Sequence, residues 1–100
     1  MKDARQACRI PYHAPIKISW TSNGEPKTAK ATCVGISLGG LTLEAPEPLP
    51  IGTSVYLEID EVHLSGSASV RHSTPRGQQF LVGLELSPET REAVLNPVGN

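Results

Sequence analysis

Cysteine is nearly absent. Cys8 and Cys33 are the only two in 100 residues. That excludes a disulfide scaffold and makes a reducing cytoplasm the default expectation. Aromatic side chains are equally scarce, with one Trp, one Phe and two Tyr. The core must therefore be aliphatic, and there are too few rings for the stacking platforms that single-stranded nucleic acids use. Neither sign of charge dominates: nine Lys and Arg against ten Asp and Glu leave a net charge of −1. This balance excludes both a disordered polyelectrolyte and a basic, nucleic-acid-coating protein. No apolar run approaches the roughly 20 residues of a membrane-spanning helix, so membrane insertion is not expected. The chain start lacks a charged, apolar, then small-residue pattern, so export by that route is not expected either. A chain of 100 residues is one domain's worth.

What is present is alternation. Ile16, Ile18 and Trp20 alternate with Lys17, Ser19 and Thr21, the period of a half-buried strand. Asn23-Gly24 follows as a two-residue hairpin signal, and a weaker return segment covers about 27–36. A short strand is expected at 40–44. Pro46, Pro48 and Pro50 mark a loop, because proline cannot donate to a sheet ladder. Val55, Leu57 and Ile59 form the next apolar face, and Asp60-Glu61 the next turn. Val62, Leu64, Gly66, Ala68 and Val70 then face one way, with His63, Ser65, Ser67, Ser69 and Arg71 opposite. Pro75-Arg76-Gly77 turns the chain, and Phe80, Val82, Leu84 and Leu86 make the last inward face. Ser87-Pro88-Glu89 supplies an N-cap, a proline at the first helical position and an acid in the first turn. A short helix is predicted over 88–95. Six short antiparallel strands, each with one polar face, are best accommodated by closure into a small barrel or sandwich, and a barrel of this size would be filled with side chains. A ligand would then sit on the outside or at a rim.

Charge is unevenly placed. Residues 1–11 carry Lys2, Asp3, Arg5 and Arg9, a net of +2, whereas residues 31–70 contain no Lys or Arg. The organisation expected is a flexible lead segment over 1–11 and a single barrel domain over 12–100. Arg5 and Arg9 would lie about 13 Å apart in an extended chain, or about 6 Å apart in one helical turn. Either way one segment presents two guanidiniums, which suit phosphate oxygens and stack on planar bases.

No Cys or His pair has zinc-like spacing, so no metal site is expected. Cys8, Cys33, His13, His63 and His72 read as ordinary strand and tail residues, and no catalytic residue is proposed. The glycine cluster Gly35-Ile-Ser37-Leu-Gly39-Gly40 lacks the Gly-Lys-Ser/Thr of a phosphate-binding loop. It reads as a tight bend in which Gly39 or Gly40 permits unusual φ. Its backbone N–H groups and the Ser37 hydroxyl can face a ligand closely.

Two motifs stand in register with the strand pattern. Arg5-Gln-Ala-Cys-Arg9 precedes the first strand, and Gly35-Ile-Ser37-Leu-Gly-Gly40 lies near the glycine bend. Leu49-Pro50-Ile51-Gly52-Thr53 and Val82-Gly83-Leu84-Glu85-Leu86 follow. Together these resemble the PilZ domain family, whose pattern pairs an RxxxR lead-in with a [D/N]xSxxG turn. The resemblance covers nearly the whole chain. It implies an all-β fold, a six-stranded antiparallel barrel with a short C-terminal helix and a flexible N-terminal tail. It also implies recognition of the bacterial second messenger cyclic di-GMP, by a small adaptor in signalling that governs motility or biofilm formation.

The site implied comprises Arg5, Arg9, Ser37 and Gly40, with Gly35, Gly39 and Arg71 beside them. No cofactor or enzymatic activity is implied, and the partners would be cyclic di-GMP and an unidentified protein effector. Gly35 stands where the family has Asp or Asn, and so lacks a side chain to accept hydrogen bonds from guanine. The alternative is a PilZ-like interaction module of pilus or motility machinery that binds no nucleotide.

Overall fold

The computed structural model describes residues 13–37 and 39–95, without the side chains of Ser37, Val94 and Leu95. The RxxxR lead segment lies outside these residues. The strands are β1 (Pro15–Ser22), β2 (Glu25–Ser37), β3 (Gly40–Ala45), β4 (Ser54–Ile59), β5 (Leu64–Arg76) and β6 (Gln79–Leu86), followed by helix α1 (Pro88–Leu95). They close into one barrel in the order β1-β2-β3-β6-β5-β4, with every neighbouring pair antiparallel. Closure leaves no free sheet edge, as the alternation predicted.

Two strands are longer than expected. β2 and β5 each run 13 residues. Each serves two neighbours in succession. β2 pairs with β1 up to Thr32 and with β3 from Thr32 onward. β5 pairs with β4 over Leu64–Ser69 and with β6 from Ala68 to Arg76. A strand that passes from one neighbour to the next must bend. Both long strands carry a register shift, between Cys33 and Gly35 in β2 and between Val70 and His72 in β5. One extra residue in such a shift bends the strand and increases its twist. Periodicity alone cannot show this, because a bulge leaves the composition of the segment unchanged.

Other boundaries move for local reasons. Val62 lies outside β5, in a single 3-10 turn over Asp60–Val62 that ends on His63 in the left-handed conformation, φ 52°. The turn expected at Pro75-Arg76-Gly77 falls one step later. Arg76 still pairs with Gln79, and Gly77 takes φ 62°. Asn23-Gly24 forms the predicted hairpin turn with φ 53° and 81°.

The interior is aliphatic. Ile16, Ile18, Leu43, Leu57, Ile59 and Val82 are fully buried, and each such side chain contributes about 1.5–3 kcal/mol by leaving water. Cys33 is one of these core side chains, and its thiol donates to the Gly35 carbonyl at 3.7 Å. The proline loop adds Leu49 to the same core. The helix N-cap is Ser87, whose Oγ accepts from the Thr90 N–H at 3.3 Å. Buried Thr90 in turn accepts from the Ser67 N–H at 3.0 Å and packs over Gly66, where a side chain would collide with it. Thus α1 serves β5 where β6 has ended.

Candidate functional site

The wall formed by β2, β3, β6 and β5 is assembled in rows. Gly35 pairs with Thr42, Thr42 with Gly83, and Gly83 with His72. Their strand neighbours Cys33, Leu41, Leu43, Val82 and Leu84 are buried. Alternation therefore turns this row outward. One row along, Ser37 pairs with Gly40, Gly40 with Glu85, and Glu85 with Ser69. On the other side, Thr32 pairs with Glu44, Glu44 with Leu81, and Leu81 with Thr74. Three glycines, Gly35, Gly40 and Gly83, thus lie on one patch of outer wall. The His72 ring covers Gly83 and the Leu84 carbonyl fills the space beside Gly40, so of the three it is Gly35 that leaves backbone within reach of a ligand.

Two hollows open on this wall and meet at Thr42. The first, about 250 Å³, is lined by Gly39, Gly40, Thr42, Gly83, His72, Arg71 and Glu85. The second, about 340 Å³, is lined by His13, Gly35, Thr42, Glu44, Arg76 and Leu81. Gly35, Gly39, Gly40 and Arg71, expected from sequence to act together, are thereby brought to adjoining hollows. Ser37 is placed by its backbone pairing with Gly40. Arg5 and Arg9 fall outside the described residues.

Gly40 is required for a different reason than expected. Its φ is not positive. A Cβ there would collide with the carbonyl oxygen of Leu84 on β6. Close approach of two backbones, not an unusual dihedral, demands glycine at this position. Gly35 is also free of positive φ, and a Cβ on it would meet only the Thr42 side chain, at 3.4 Å.

Arg71 stands at the register shift of β5, and its side chain lines the first hollow. Its guanidinium is ion-paired with Glu85, and both side chains are at least half exposed. An exposed pair of this kind contributes only about 0–1 kcal/mol, so a better anion can displace the carboxylate at little cost.

Formal charge on the hollows balances. Arg71 and Arg76 face Glu44 and Glu85. The wall therefore offers shape and hydrogen-bonding groups but no net positive charge. The lead segment carries that charge, +2 over residues 1–11. Its attachment point is beside the site: His13 lines the second hollow and its N–H donates to the Cys33 carbonyl at 2.7 Å. Arg9 is four residues before His13 and Arg5 eight, and at most about 3.3–3.6 Å per residue bounds how far either can lie from it.

His72, Gly83, Thr42, Glu44, Glu85 and Arg76 were not singled out as site residues from sequence. One signal was available. Gly83 interrupts an otherwise apolar strand, and an isolated strand glycine often marks a close approach. The carboxylates and Arg76 carried none, because only the register reveals which exposed charges share a patch.

A larger groove of about 700 Å³ lies on the β1–β4 side, over Trp20, Lys27, Val55 and Tyr56. Lys27 sits 5.8 Å from the Trp20 ring centroid and pairs with Glu47 at 2.9 Å. This groove contains none of the sequence-predicted site residues. Among the described residues no group of three or more His, Cys, Asp or Glu is placed to hold a metal ion. No helix there is long and apolar enough to cross a membrane.

No curated protein matches the chain significantly. A family model does match, that of the PilZ domain, over residues 3–96, and so takes in both the lead arginines and the entire barrel. PilZ domains are ligand-binding or adaptor modules, generally for cyclic di-GMP. With the closed six-stranded barrel, that match establishes that the chain belongs to the PilZ domain family.

Proposed function

We propose that this PilZ domain is a cyclic di-GMP receptor that acts as a small adaptor for a protein effector. The observation that carries the reading is the position of His13. The chain leaves the RxxxR segment at the hollow that Gly35 lines, so Arg5 and Arg9 can close on a ligand seated there. The wall has no net charge of its own to attract a dianion, and the lead segment has it. Arg5 and Arg9 contact the phosphates and stack on the guanines. Gly35 lets the ligand approach the backbone, and Ser37 offers a hydroxyl. Arg71 exchanges Glu85 for a phosphate oxygen.

Each charge-assisted contact is worth about 1.5–3 kcal/mol. Closing the lead segment over the ligand fixes backbone at about 1–2 kcal/mol per residue, so only a ligand that engages both arginines drives it. The closed segment then presents a new surface to the effector. Such a messenger is intracellular, and a cytoplasmic location goes with this reading.

A second reading keeps the PilZ fold and omits the nucleotide, leaving an interaction module for pilus or motility machinery. Gly35 favours it, because the side chain that would accept from guanine is missing at that position. Calorimetric titration of the intact chain with cyclic di-GMP separates the two. Saturable binding with heat supports the receptor. No heat at millimolar ligand, for a folded sample, leaves the interaction module.

A further inference from the structure

The second hollow holds a carboxylate that neither motif predicts. Glu44 lies on the outer face of β3, two residues from Thr42, and lines the same hollow as Gly35. Gly35 pairs with Thr42, so Glu44 is its diagonal neighbour. Diagonal positions on adjacent strands are about 7–8 Å apart, within reach of a long side chain. An added Cβ on Gly35 would meet only the Thr42 side chain, its Cβ at 3.4 Å. The other carboxylate of the wall, Glu85, is engaged by Arg71. Glu44 makes no ion pair with any described residue.

We propose that Glu44 reads guanine: its carboxylate accepts the N1–H and N2–H donors of a guanine base seated in the hollow over Gly35. The proposal rests on the cyclic di-GMP reading above and assigns the residue that sets its base preference. The chemistry selects the base. Guanine presents two adjacent donors on that edge, which match the two oxygens of a carboxylate. Adenine presents a ring nitrogen acceptor there, which a carboxylate repels. Glycine at 35 places no acceptor of its own there and leaves that role to the Glu44 carboxylate.

Electrostatics alone predicts the opposite sign for a test. Removing a negative charge beside a dianionic ligand should tighten binding. A loss of binding on neutralising Glu44 therefore reports a specific hydrogen bond.

The experiment is calorimetric titration of the parent, Glu44→Gln and Glu58→Gln with cyclic di-GMP and with cyclic di-AMP. Glu58 is on β4, outside both hollows. The parent is expected to prefer cyclic di-GMP. Glu44→Gln is expected to lose about 5- to 150-fold for cyclic di-GMP, the range for an unmade hydrogen bond, with unchanged or tighter cyclic di-AMP binding. Glu58→Gln should match the parent. A parent that binds cyclic di-GMP while Glu44→Gln binds it equally or more tightly overturns the assignment and leaves the receptor reading standing. A parent with no preference between the two dinucleotides also overturns it. A folded parent that binds neither overturns the receptor reading itself.

Discussion

The imidazole of His72 lies directly over Gly83, in the space that a side chain at position 83 would need. The two residues are cross-strand partners on β5 and β6. The glycine on one strand thus leaves room for a ring from the next strand, at the edge of the hollow that holds Arg71. Gly40, one row away, looks similar in sequence but is blocked by something else, the Leu84 backbone carbonyl.

That difference predicts different costs. Gly40→Ala must displace a strand backbone, and overpacking of this kind costs about 1–3 kcal/mol. The upper end of that range is expected, because a hydrogen-bonded ladder has no alternative position. Since about 1 kcal/mol shifts the melting temperature of a domain this size by roughly 4–8 °C, Gly40→Ala should melt well below the parent. Gly83→Ala has only to rotate an exposed imidazole and should cost under about 1 kcal/mol. Thermal melts of Gly83→Ala, His72→Ala and the double variant test the mechanism. Prior loss of the ring should remove most of the Gly83→Ala cost, a non-additivity expected of residues in contact. Strict additivity would mean that the ring does not define the site.

The fold was largely readable from residues such as Ile16, Ile18 and Trp20, because a period of two with one apolar face dictates a strand whatever its partners. The turn at Asn23-Gly24 and the cap at Ser87 were readable because they depend on one or two residues. The bulges at Val34 and Arg71 were not, since a bulge is a property of a pair of strands. The site divides in the same way. Gly40 and Ser37 belong to a local motif, and Arg71 follows from its alternation. His72 and Glu44 reach the site only through the β5–β6 and β2–β3 registers. The glycine rationale failed at Gly40 because sequence cannot distinguish a dihedral requirement from a close approach.

Glu85 should restrain ligand binding. It carries a negative charge on the wall and occupies Arg71. Glu85→Gln leaves a side chain of the same size, frees the guanidinium and removes a repulsion from the dianion. Exposed ion pairs contribute up to about 1 kcal/mol, so a gain of at most about fivefold in cyclic di-GMP affinity is expected. The gain should shrink as salt is raised, because the screening length falls to about 3 Å at 1 M. Weaker binding by Glu85→Gln would show instead that Glu85 holds Arg71 in its working position.

Arg5→Ala and Arg9→Ala should each weaken cyclic di-GMP binding strongly without changing the fold. The barrel closes through residues 15–86, and the net charge of its two hollows is zero, so under the proposed mechanism the lead arginines supply hydrogen bonds and charge. Each charge-assisted hydrogen bond to a phosphate is worth about 1.5–3 kcal/mol, so removing one should weaken binding roughly 10- to 150-fold. Melting temperatures should stay within a few degrees of the parent. Parent-like titrations from both variants would remove the lead segment from the binding mechanism.

Gly35→Asp separates the backbone question from the recognition question. The backbone tolerates a side chain: φ at Gly35 is not positive, and an added Cβ meets only the Thr42 side chain at van der Waals distance. Stability should therefore change by less than about 1 kcal/mol, as for most surface substitutions. Binding depends on what occupies position 44. In the parent, a second carboxylate next to Glu44 sets like charges against each other and offers guanine an acceptor it already has, so little gain is expected. In the Glu44→Gln background the new carboxylate is alone and restores the acceptor at the position the PilZ pattern assigns to it. Titration should then recover most of the cyclic di-GMP affinity that Glu44→Gln loses, by about 1–3 kcal/mol. Recovery would mean that one acceptor is needed on this patch and that either strand can supply it. A folded double variant that binds no better than Glu44→Gln would mean that the base sits beyond the reach of an aspartate at 35.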